Sequence, residues 1–337
     1  MPNQEPFSLR SPAPAERPAI AELINRHSLA TLGTPQALID EAGALRLARG
    51  VGGAVAQQVA IAPDGRLVGW AYVSHQEPGI VWPVEVIAPA AVDAGLALLR
   101  WAEEHAQARL AATPPGARII MQDTAFEADA AGQELLLAAG FSHCRTWIHL
   151  DLTLEAPPPP PRWPAGVSVR RMDQRHDWPA VGAALEDAFG DHWGELPPAP
   201  ADPGTFAAAP EADPAAPPEH DDPYFNTHNL CFVALCDGEV VGSCLNNART
   251  IEWPDSGRLG SLSIRRDYRR RGIAEALLLH AWGACWEQGI RRITTDTDAD
   301  NLTGSFRLYQ RLGMHIFRRE LVFEKELRPG QELRVMA

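Results

Sequence analysis

The chain has 337 residues, 45% of them hydrophobic, and a formal net charge of -13 at pH 7. This length can supply the cores of two domains of ordinary size. The acidic balance argues against a protein that binds duplex nucleic acid, because such proteins present a broad basic surface. The first residues do not have the pattern of a signal peptide, and no apolar run approaches the length of a membrane span. We therefore expect a cytoplasmic protein with no membrane partner.

The first half of the chain predicts alternating strands and helices. Residues 59–74, VAIAPDGRLVGWAYVS, have the pattern of two strands around a DG turn. Residues 82–107 predict a strand, a loop and an amphipathic helix, and residues 135–154 predict a helix that ends in glycine before another strand. A mixed sheet with helices is the expected fold class.

A proline run at residues 155–166, EAPPPPPRWPAG, divides the chain. Such a run cannot lie inside a helix or a central strand, so we predict a stiff linker. The predicted domains are then residues 1–154 and residues 167–337.

The second half repeats the order of elements found in the first. Residues 233–247 again have two strands around a DG turn, and residues 307–327 again have a helix that ends in glycine before a strand. Gly69 and Gly242 are separated by 242 − 69 = 173 residues, and the glycines that end the two helices, Gly140 and Gly313, by 313 − 140 = 173. We infer a tandem duplication.

The arginine loop of the second half, RRDYRRRG at residues 265–272, joins an apolar strand to a helix. Backbone N–H groups at a helix start lack partners, and together with nearby arginines they bind anions such as pyrophosphate. A solvated helix cap is the alternative. Alignment of Gly95 with Gly272 places Asp93 of the first half where the second half has an arginine, and this acid would repel an anion.

The five cysteines do not have the pattern of a metal site, because they include no CxxC pair and no histidine at ligand spacing. We expect core thiols and no metal; the residues are Cys144, Cys231, Cys236, Cys244 and Cys285.

The arginine loop resembles the R/Q-x-x-G-x-G/A loop of the GCN5-related N-acetyltransferases, the GNAT superfamily. A second segment, NLTGSFRLYQRLGM at residues 301–314, is similar to the family's Asn and Tyr segment. Both motifs fall within residues 165–327, and element order extends the likeness to residues 5–154. The tandem arrangement looks most like the mycothiol synthase-like acetyltransferases. The resemblance implies two tandem mixed α/β GNAT domains and acetyl-CoA as cofactor.

The resemblance also implies roles for particular residues. The backbone of the strand before the loop would pair with the pantetheine arm of acetyl-CoA and offer an N–H to the thioester oxygen; these residues are Leu262, Ser263 and Ile264. The loop and helix start would hold the pyrophosphate; these residues are Arg269, Arg270, Arg271, Gly272, Ile273 and Ala274. Asn301 would be a ligand of the arm, although an asparagine there also suits a helix N-cap.

Tyr309 matches the family's tyrosine, which can act as general acid, although its helical spacing with Phe306 and Leu312 also suits a core residue. The aligned residues of the first half are Leu136 for the tyrosine and Ala128 for Asn301. We therefore expect one cofactor site, in the second half, beside a degenerate first domain.

The general base is not defined by the resemblance. The strand before the loop lacks the glutamate found in many relatives, and Arg258 lies near that place. Asp191 and His192 are the candidates that we favour, and His192 also suits a packing role. The alternatives are Glu195, Asp296, Asp298 or a chain of water molecules.

Residues 194–228 contain seven acidic residues and no lysine or arginine. Such a composition is typical of a disordered or loosely ordered insert. The insert interrupts the part of the fold that borders the acceptor, so an acidic lid that attracts a cationic amine is our hypothesis.

These features predict an N-acetyltransferase that acts on a primary amine of a small molecule by direct attack in a ternary complex. One alternative is an acyl-CoA-binding module without turnover. Another is a GNAT-fold acyltransferase that uses aminoacyl-tRNA or a different donor, which the overall acidity disfavours. The sequence does not define the oligomeric state.

Overall fold

The computed structural model describes residues 7–32, 56–75, 79–88, 91–196, 230–247 and 256–336. The chain divides into two compact units. Unit one comprises Met1–Trp147 and Arg318–Leu333, and unit two comprises Ile148–Phe317 and Arg334–Ala337.

Unit one is a mixed sheet with helices. Its strands follow the order β1-β2-β3-β4-β5-β12, in which β4 and β5 are parallel and the other adjacent pairs are antiparallel. The elements are β1 (Ser8–Arg10), α1 (Arg17–Leu32), β2 (Ala56–Ile61), β3 (Leu67–Val73), β4 (Val81–Ile87), α2 (Val92–Gln107), β5 (Ile119–Phe126), α3 (Ala130–Ala138) and β12 (His315–Arg328).

Unit two repeats this arrangement. Its strands follow the order β6-β11-β10-β9-β8-β7, with β10 and β11 parallel and the run from β10 to β7 antiparallel. The elements are β6 (Ser142–Thr153), β7 (Val167–Arg171), α4 (Gln174–Phe189), β8 (Phe232–Cys236), β9 (Glu239–Asn247), β10 (Ser256–Ile264), α5 (Ile273–Glu287), β11 (Arg292–Asp298) and α6 (Ser305–Arg311). The boundaries of the units fall within two strands, so that residues 142–147 of β6 belong to unit one and residues 315–317 of β12 belong to unit two.

The two halves of the chain exchange their last strands. In unit one, β5 pairs with β12, with Glu320 opposite Phe126 and Lys325 opposite Met121. In unit two, the strand beside β11 is β6. The units therefore differ from the predicted division at the proline run, because strand pairing, which local sequence does not encode, decides which strand completes each sheet.

The proline run belongs to unit two. Its Trp163 packs against the core of that unit, with the ring 6.1 Å from that of His280 on α5, and Leu154, directly before the run, donates its backbone N–H to Arg291 O at 2.7 Å. We predicted a stiff spacer between domains. In the structure the run instead lies against α5, because the Trp163 indole packs on an apolar surface there.

The predicted apolar stripe of α5 is confirmed. Its residues lie in the core of unit two, each at most 1% exposed: Ile273, Leu277, Leu278, Ala281 and Trp282. Helix α4 contributes Val181, Ala184 and Leu185 to a separate apolar cluster with Val233 of β8. Because Phe232 and Ala234 belong to the α5 cluster, the two helices cover opposite faces of the sheet.

Several repeat equivalences agree with the structure. Gly140 and Gly313 have φ of 88° and 92° and follow α3 and α6. Phe141 donates to Leu136 O and Met314 donates to Tyr309 O, each at 3.0 Å, so Leu136 and Tyr309 occupy the same place in their helix ends.

The predicted alignment of Gly95 with Gly272 is wrong. Helix α2 has its N-cap at Ala91, so Gly95 lies in the first turn, where a Cβ would come 2.8 Å from Leu135 Cδ2. Gly272 is itself the N-cap of α5, with φ 84°. The three residues before Ala91 are Ala88, Pro89 and Ala90, so the corrected register still has no arginine.

No helix in the described parts of the chain is both long and apolar enough to cross a membrane.

Gly242 is a position where the fold leaves no room for a side chain. A Cβ there would lie 2.6 Å from Ile264 Cδ1 and 2.8 Å from the backbone oxygen of Ser263. We expect Gly242→Ala to lower the free energy of unfolding by about 1–3 kcal/mol, as overpacking does. Gly283→Ala is the control, because its nearest neighbour would be Pro158 Cγ at 4.0 Å. Equal urea midpoints for the two variants would contradict the packing argument.

Candidate active site

The arginine loop turns sharply into α5. Arg270 and Gly272 have φ of 64° and 84°, both in the left-handed region, which is rare for a side chain as large as arginine. The first backbone hydrogen bond of α5 runs from Ala276 N to Gly272 O at 3.0 Å. The N–H groups of Gly272, Ile273 and Ala274 donate to no acceptor within the described residues. Three such donors at the positive end of a helix can bind an anion.

The three predicted arginines differ in what they contact. Arg269 donates to Ile264 O at 3.4 Å and to Ala188 O at 2.8 Å, so its side chain fastens the loop to β10 and α4. Arg271 donates to Asp267 O at 2.7 Å, and its guanidinium lies 4.9 Å from the centroid of the Tyr268 ring.

Arg270 is exposed, and among the described residues it has no hydrogen bond or ion pair. Arg270 and Arg271 are therefore the side chains available to an incoming anion. The contacts of Arg269 support a structural role for its side chain.

Strands β10 and β11 part beside the loop. Their parallel pairing runs from Ser256 and Arg292 to Leu259 and Thr295, and it ends there although β10 continues to Ile264. On its other side β10 stays paired with β9, with a register shift between Leu259 and Ser261.

The residues predicted to pair with the pantetheine arm lie beyond the end of this pairing. On the side of β10 that turns toward β11, no strand pairs with Leu262, Ser263 and Ile264 in the described part of the chain, although Ile264 O accepts a hydrogen bond from Arg269 Nε. An edge of this kind can pair with an extended amide-bearing ligand as an added strand would.

Tyr309 lies beside this gap and is 5% exposed. Its hydroxyl has a hydrogen bond with the Thr295 side chain, and burial raises the pKa of the phenol. The hydroxyl therefore stays protonated at neutral pH, as a proton donor must. Tyr309 also belongs to the core of unit two, so the core and the site interpretations both apply.

Asn301 follows β11 and is not a helix N-cap. The N-cap of α6 is Gly304, and Asn301 Oδ1 accepts hydrogen bonds from Thr303 N at 2.7 Å and Thr303 Oγ1 at 2.5 Å. The alternative role of N-cap is thus wrong. The predicted role as a cofactor ligand stays a prediction.

His192 lies in the turn that follows α4. Its ring meets Phe189 edge to face at 4.8 Å, and its backbone N–H donates to Phe189 O at 2.7 Å. Burial lowers the pKa of the imidazole, with the charges of Asp191, Arg269 and Asp298 acting on it as smaller effects. Nε2 is buried and has no hydrogen-bond partner among the described residues. The ring is therefore neutral near pH 7 and has a free nitrogen.

Asp191 and Glu195 flank this histidine in different environments. The Asp191 carboxylate lies 3.6 Å from Arg266 Nη2 and 3.8 Å from Arg269 Nη1, so two cations engage it. This arrangement favours His192 over Asp191 as the base. Burial raises the pKa of the Glu195 carboxyl.

Arg258 occupies the place of the missing glutamate and is paired. Its Nη2 lies 2.5 Å from Asp296 Oδ1, so Asp296 is committed to an ion pair. Asp298 is 6% exposed and accepts a hydrogen bond from Asp300 N at 2.9 Å. Of these two alternative bases, Asp298 is the one whose charge raises the pKa of the His192 imidazole, as a smaller effect beside burial.

Three features of the site were not predicted from the sequence. The interruption of β10 had a signal, since Gly260 stands inside an apolar strand, where glycine often marks a bulge. The ion pair between Arg258 and Asp296 and the hydrogen bond between Thr295 and Tyr309 join separate elements and had no local signal. Of the acidic insert, only residues 194–196 lie within the described residues.

Within the described residues no group of His, Cys, Asp or Glu side chains could hold a metal ion. The unpaired donors at α5, the two available arginines and the open edge of β10 instead suit a long anionic ligand with amide groups, such as an acyl-CoA. The fold and the site together are those expected of an acyltransferase domain.

Comparisons with known proteins agree with this class. Residues 193–314 match the Acetyltransferase (GNAT) family. A curated relative, the N-alpha-acetyltransferase MAK3 of Arabidopsis thaliana, is 31% identical over 110 residues, which cover 28% of this chain and 57% of the relative. The match thus spans little more than half of that protein's length.

Two solved structures share the fold along nearly the whole chain. A GCN5-related N-acetyltransferase from Sphaerobacter thermophilus has a TM-score of 0.78 and 29% identity, covering 99% of each chain. A tandem GNAT protein from the clavulanic acid biosynthesis pathway has a TM-score of 0.67 and 15% identity, covering 96% of this chain and 100% of its own. Residues 193–314 therefore carry a domain that is similar to the GNAT acetyltransferases, and the chain as a whole shares the fold of a GCN5-related N-acetyltransferase. The finer likeness to mycothiol synthase-like proteins stays a prediction.

Proposed function

We propose that the protein is an acetyl-CoA-dependent N-acetyltransferase that acts on a primary amine of a small molecule by direct attack in a ternary complex. The observation that carries the proposal is the set of unpaired N–H groups at the start of α5, beside the gap between β10 and β11. Acetyl-CoA would supply the acetyl group as an activated thioester.

The residues of unit two divide the work of binding this cofactor. Gly272, Ile273 and Ala274 would donate their N–H groups to the pyrophosphate, with Arg270 and Arg271 adding positive charge. The edge of β10 from Leu262 to Ile264 would pair with the amides of the pantetheine arm. Asn301 would contact the arm from the loop after β11.

Proton transfer would use two groups with opposite pKa shifts. His192, whose pKa is lowered by burial, would accept the proton of the attacking amine at Nε2. Tyr309, whose pKa is raised by burial, would give its proton to the leaving sulfur. An ammonium acceptor would first lose one proton to solvent to become the neutral nucleophile. His192 would then accept one proton from the nitrogen and Tyr309 would donate one to the sulfur, so each turnover would release one net proton.

The acceptor is proposed to be cationic before it reaches the base. Glu195 lies in the turn of His192, and the charge of Asp298 acts on the imidazole. Residues 194–228, which include Glu195, contain seven acidic residues and no lysine or arginine. Negative charge of this kind raises the local concentration of an ammonium substrate. We propose a cytoplasmic location on composition alone.

A second candidate acceptor is the α-amino group at the N-terminus of a peptide. The observation that favours it is the 31% identity to a protein named as an N-alpha-acetyltransferase. Release of free thiol with short peptides, and not with small amines, would select this candidate.

The test begins with calorimetric titration of acetyl-CoA into the full chain, followed by a free-thiol assay over a panel of amines. We expect one equivalent to bind per chain and thiol to be released only when an amine is present. Binding without turnover on any acceptor would favour the acyl-CoA-binding module. Absence of binding, together with salt-sensitive tRNA binding, would favour the aminoacyl-tRNA alternative.

A further inference from the structure

The turn that carries His192 and Glu195 is held by residues far away in the sequence. Gly194 donates its backbone N–H to Val335 O at 2.8 Å, and Val335 donates its own to Glu195 O at 2.7 Å. All of these residues belong to unit two. The two reciprocal bonds fix the backbone of the turn directly after the imidazole.

A side-chain contact lies next to this backbone bridge. The guanidinium carbon of Arg334 lies 5.8 Å from the centroid of the Trp193 ring, within the range of a cation–π contact. Arg334 is only 6% exposed, which is unusual for a charged side chain. Trp193 is the residue between His192 and Gly194, so this contact attaches Arg334 to the same turn.

The other end of the turn is held by Phe189, through its carbonyl and its ring. Residues 191–196 have neither helix nor strand. At its start the turn is held by Phe189 and by the ion pairs of Asp191 with two arginines, and at its end by Arg334 and Val335.

We propose that Arg334 and Val335 are positioning residues for acyl transfer, which hold the turn so that His192 and Glu195 face the acceptor amine. This inference rests on the proposed function. Arg334 and Val335 act through the turn and do not touch the acceptor. Because a misplacement of about 1 Å can cost on the order of 100-fold in rate, loosening the turn lowers turnover. The proposed acetyl-CoA contacts lie on β10, on the arginine loop and after β11, so cofactor affinity is unaffected.

The test uses Val335→Pro, which removes the N–H donated to Glu195, and Val335→Ala as the matched control, which keeps it. Amide hydrogen exchange, kcat, the KM of the acceptor and the Kd of acetyl-CoA are measured on the full chain. We expect Val335→Pro to speed amide exchange at Gly194 and to lower kcat by roughly 10- to 100-fold. The Kd of acetyl-CoA and the pKa that limits kcat/KM at low pH should be unchanged. Val335→Ala should match the wild type.

Arg334→Ala is a second variant, expected to lower kcat in the same direction without altering acetyl-CoA affinity. An active wild type whose kcat survives both Val335→Pro and Arg334→Ala would overturn this inference alone. A joint loss of kcat and acetyl-CoA affinity would also overturn it, because that result indicates general unfolding. A wild type that neither binds acetyl-CoA nor releases thiol would instead remove the proposed function.

Discussion

Arg270→Glu, Arg271→Glu is expected to weaken acetyl-CoA binding by at least about 100-fold, because charge-assisted hydrogen bonds contribute about 1.5–3 kcal/mol each. Both side chains are exposed beside the unpaired N–H groups of α5, so the reversal places two carboxylates next to the pyrophosphate. Arg269 is left in place because it fastens the loop to Ala188. Calorimetric titration measures the affinity.

The control for this experiment is Arg100→Glu, Arg109→Glu in unit one, which changes the net charge by the same amount. Both of these arginines are exposed on or just after α2. We expect acetyl-CoA affinity close to that of the wild type. Equal weakening in the two double variants would mean that the net charge, and not the arginine loop, governs binding.

His192→Gln is expected to lower kcat by on the order of 100-fold or more, the usual contribution of a general base. The wild-type profile of kcat/KM should rise with pH through the His192 pKa, which burial places below its ordinary value near 6.5, and then level off. The sign follows because only the neutral imidazole accepts a proton. The variant should lose this acid limb.

His280→Gln is the matched control for His192→Gln. Burial also lowers the pKa of His280, but its ring packs on Trp163 and Phe232 away from the arginine loop. We expect the acid limb to persist in this variant. An acid limb that persists in His192→Gln as well would assign the base to another group, of which Asp298 and Glu195 are the first to test.

The sequence predicted the elements that depend on local pattern. The spacing of Gly140 and Gly313 identified two equivalent helix ends, because a left-handed residue after a helix favours glycine in both copies. The apolar stripe of α5 followed from helical periodicity. The Arg269-x-x-Gly272-x-Ala274 order predicted the turn into a helix whose first N–H groups have no acceptor among the described residues, since a helix start leaves such groups without intrahelical partners. That this helix start binds an anion stays a prediction.

One sequence prediction failed because its signal was too general. Gly95 was matched with Gly272, although one packs inside a helix and the other begins one. Glycine occurs both where packing leaves no room for a side chain and where the backbone has a left-handed conformation. The residue type alone does not distinguish these two uses.

Contacts between distant residues were decided by the tertiary structure alone. Strand β5 pairs with β12, and β11 lies beside β6, although both candidate strands follow the same helix–glycine pattern in the sequence. The buried Nε2 of His192, the inward side chain of Arg269 and the bridge from Val335 to Gly194 likewise join separate elements. Periodicity and motif spacing report the preferences of neighbouring residues, whereas pairing, burial and ion pairing depend on which surfaces meet when the chain folds.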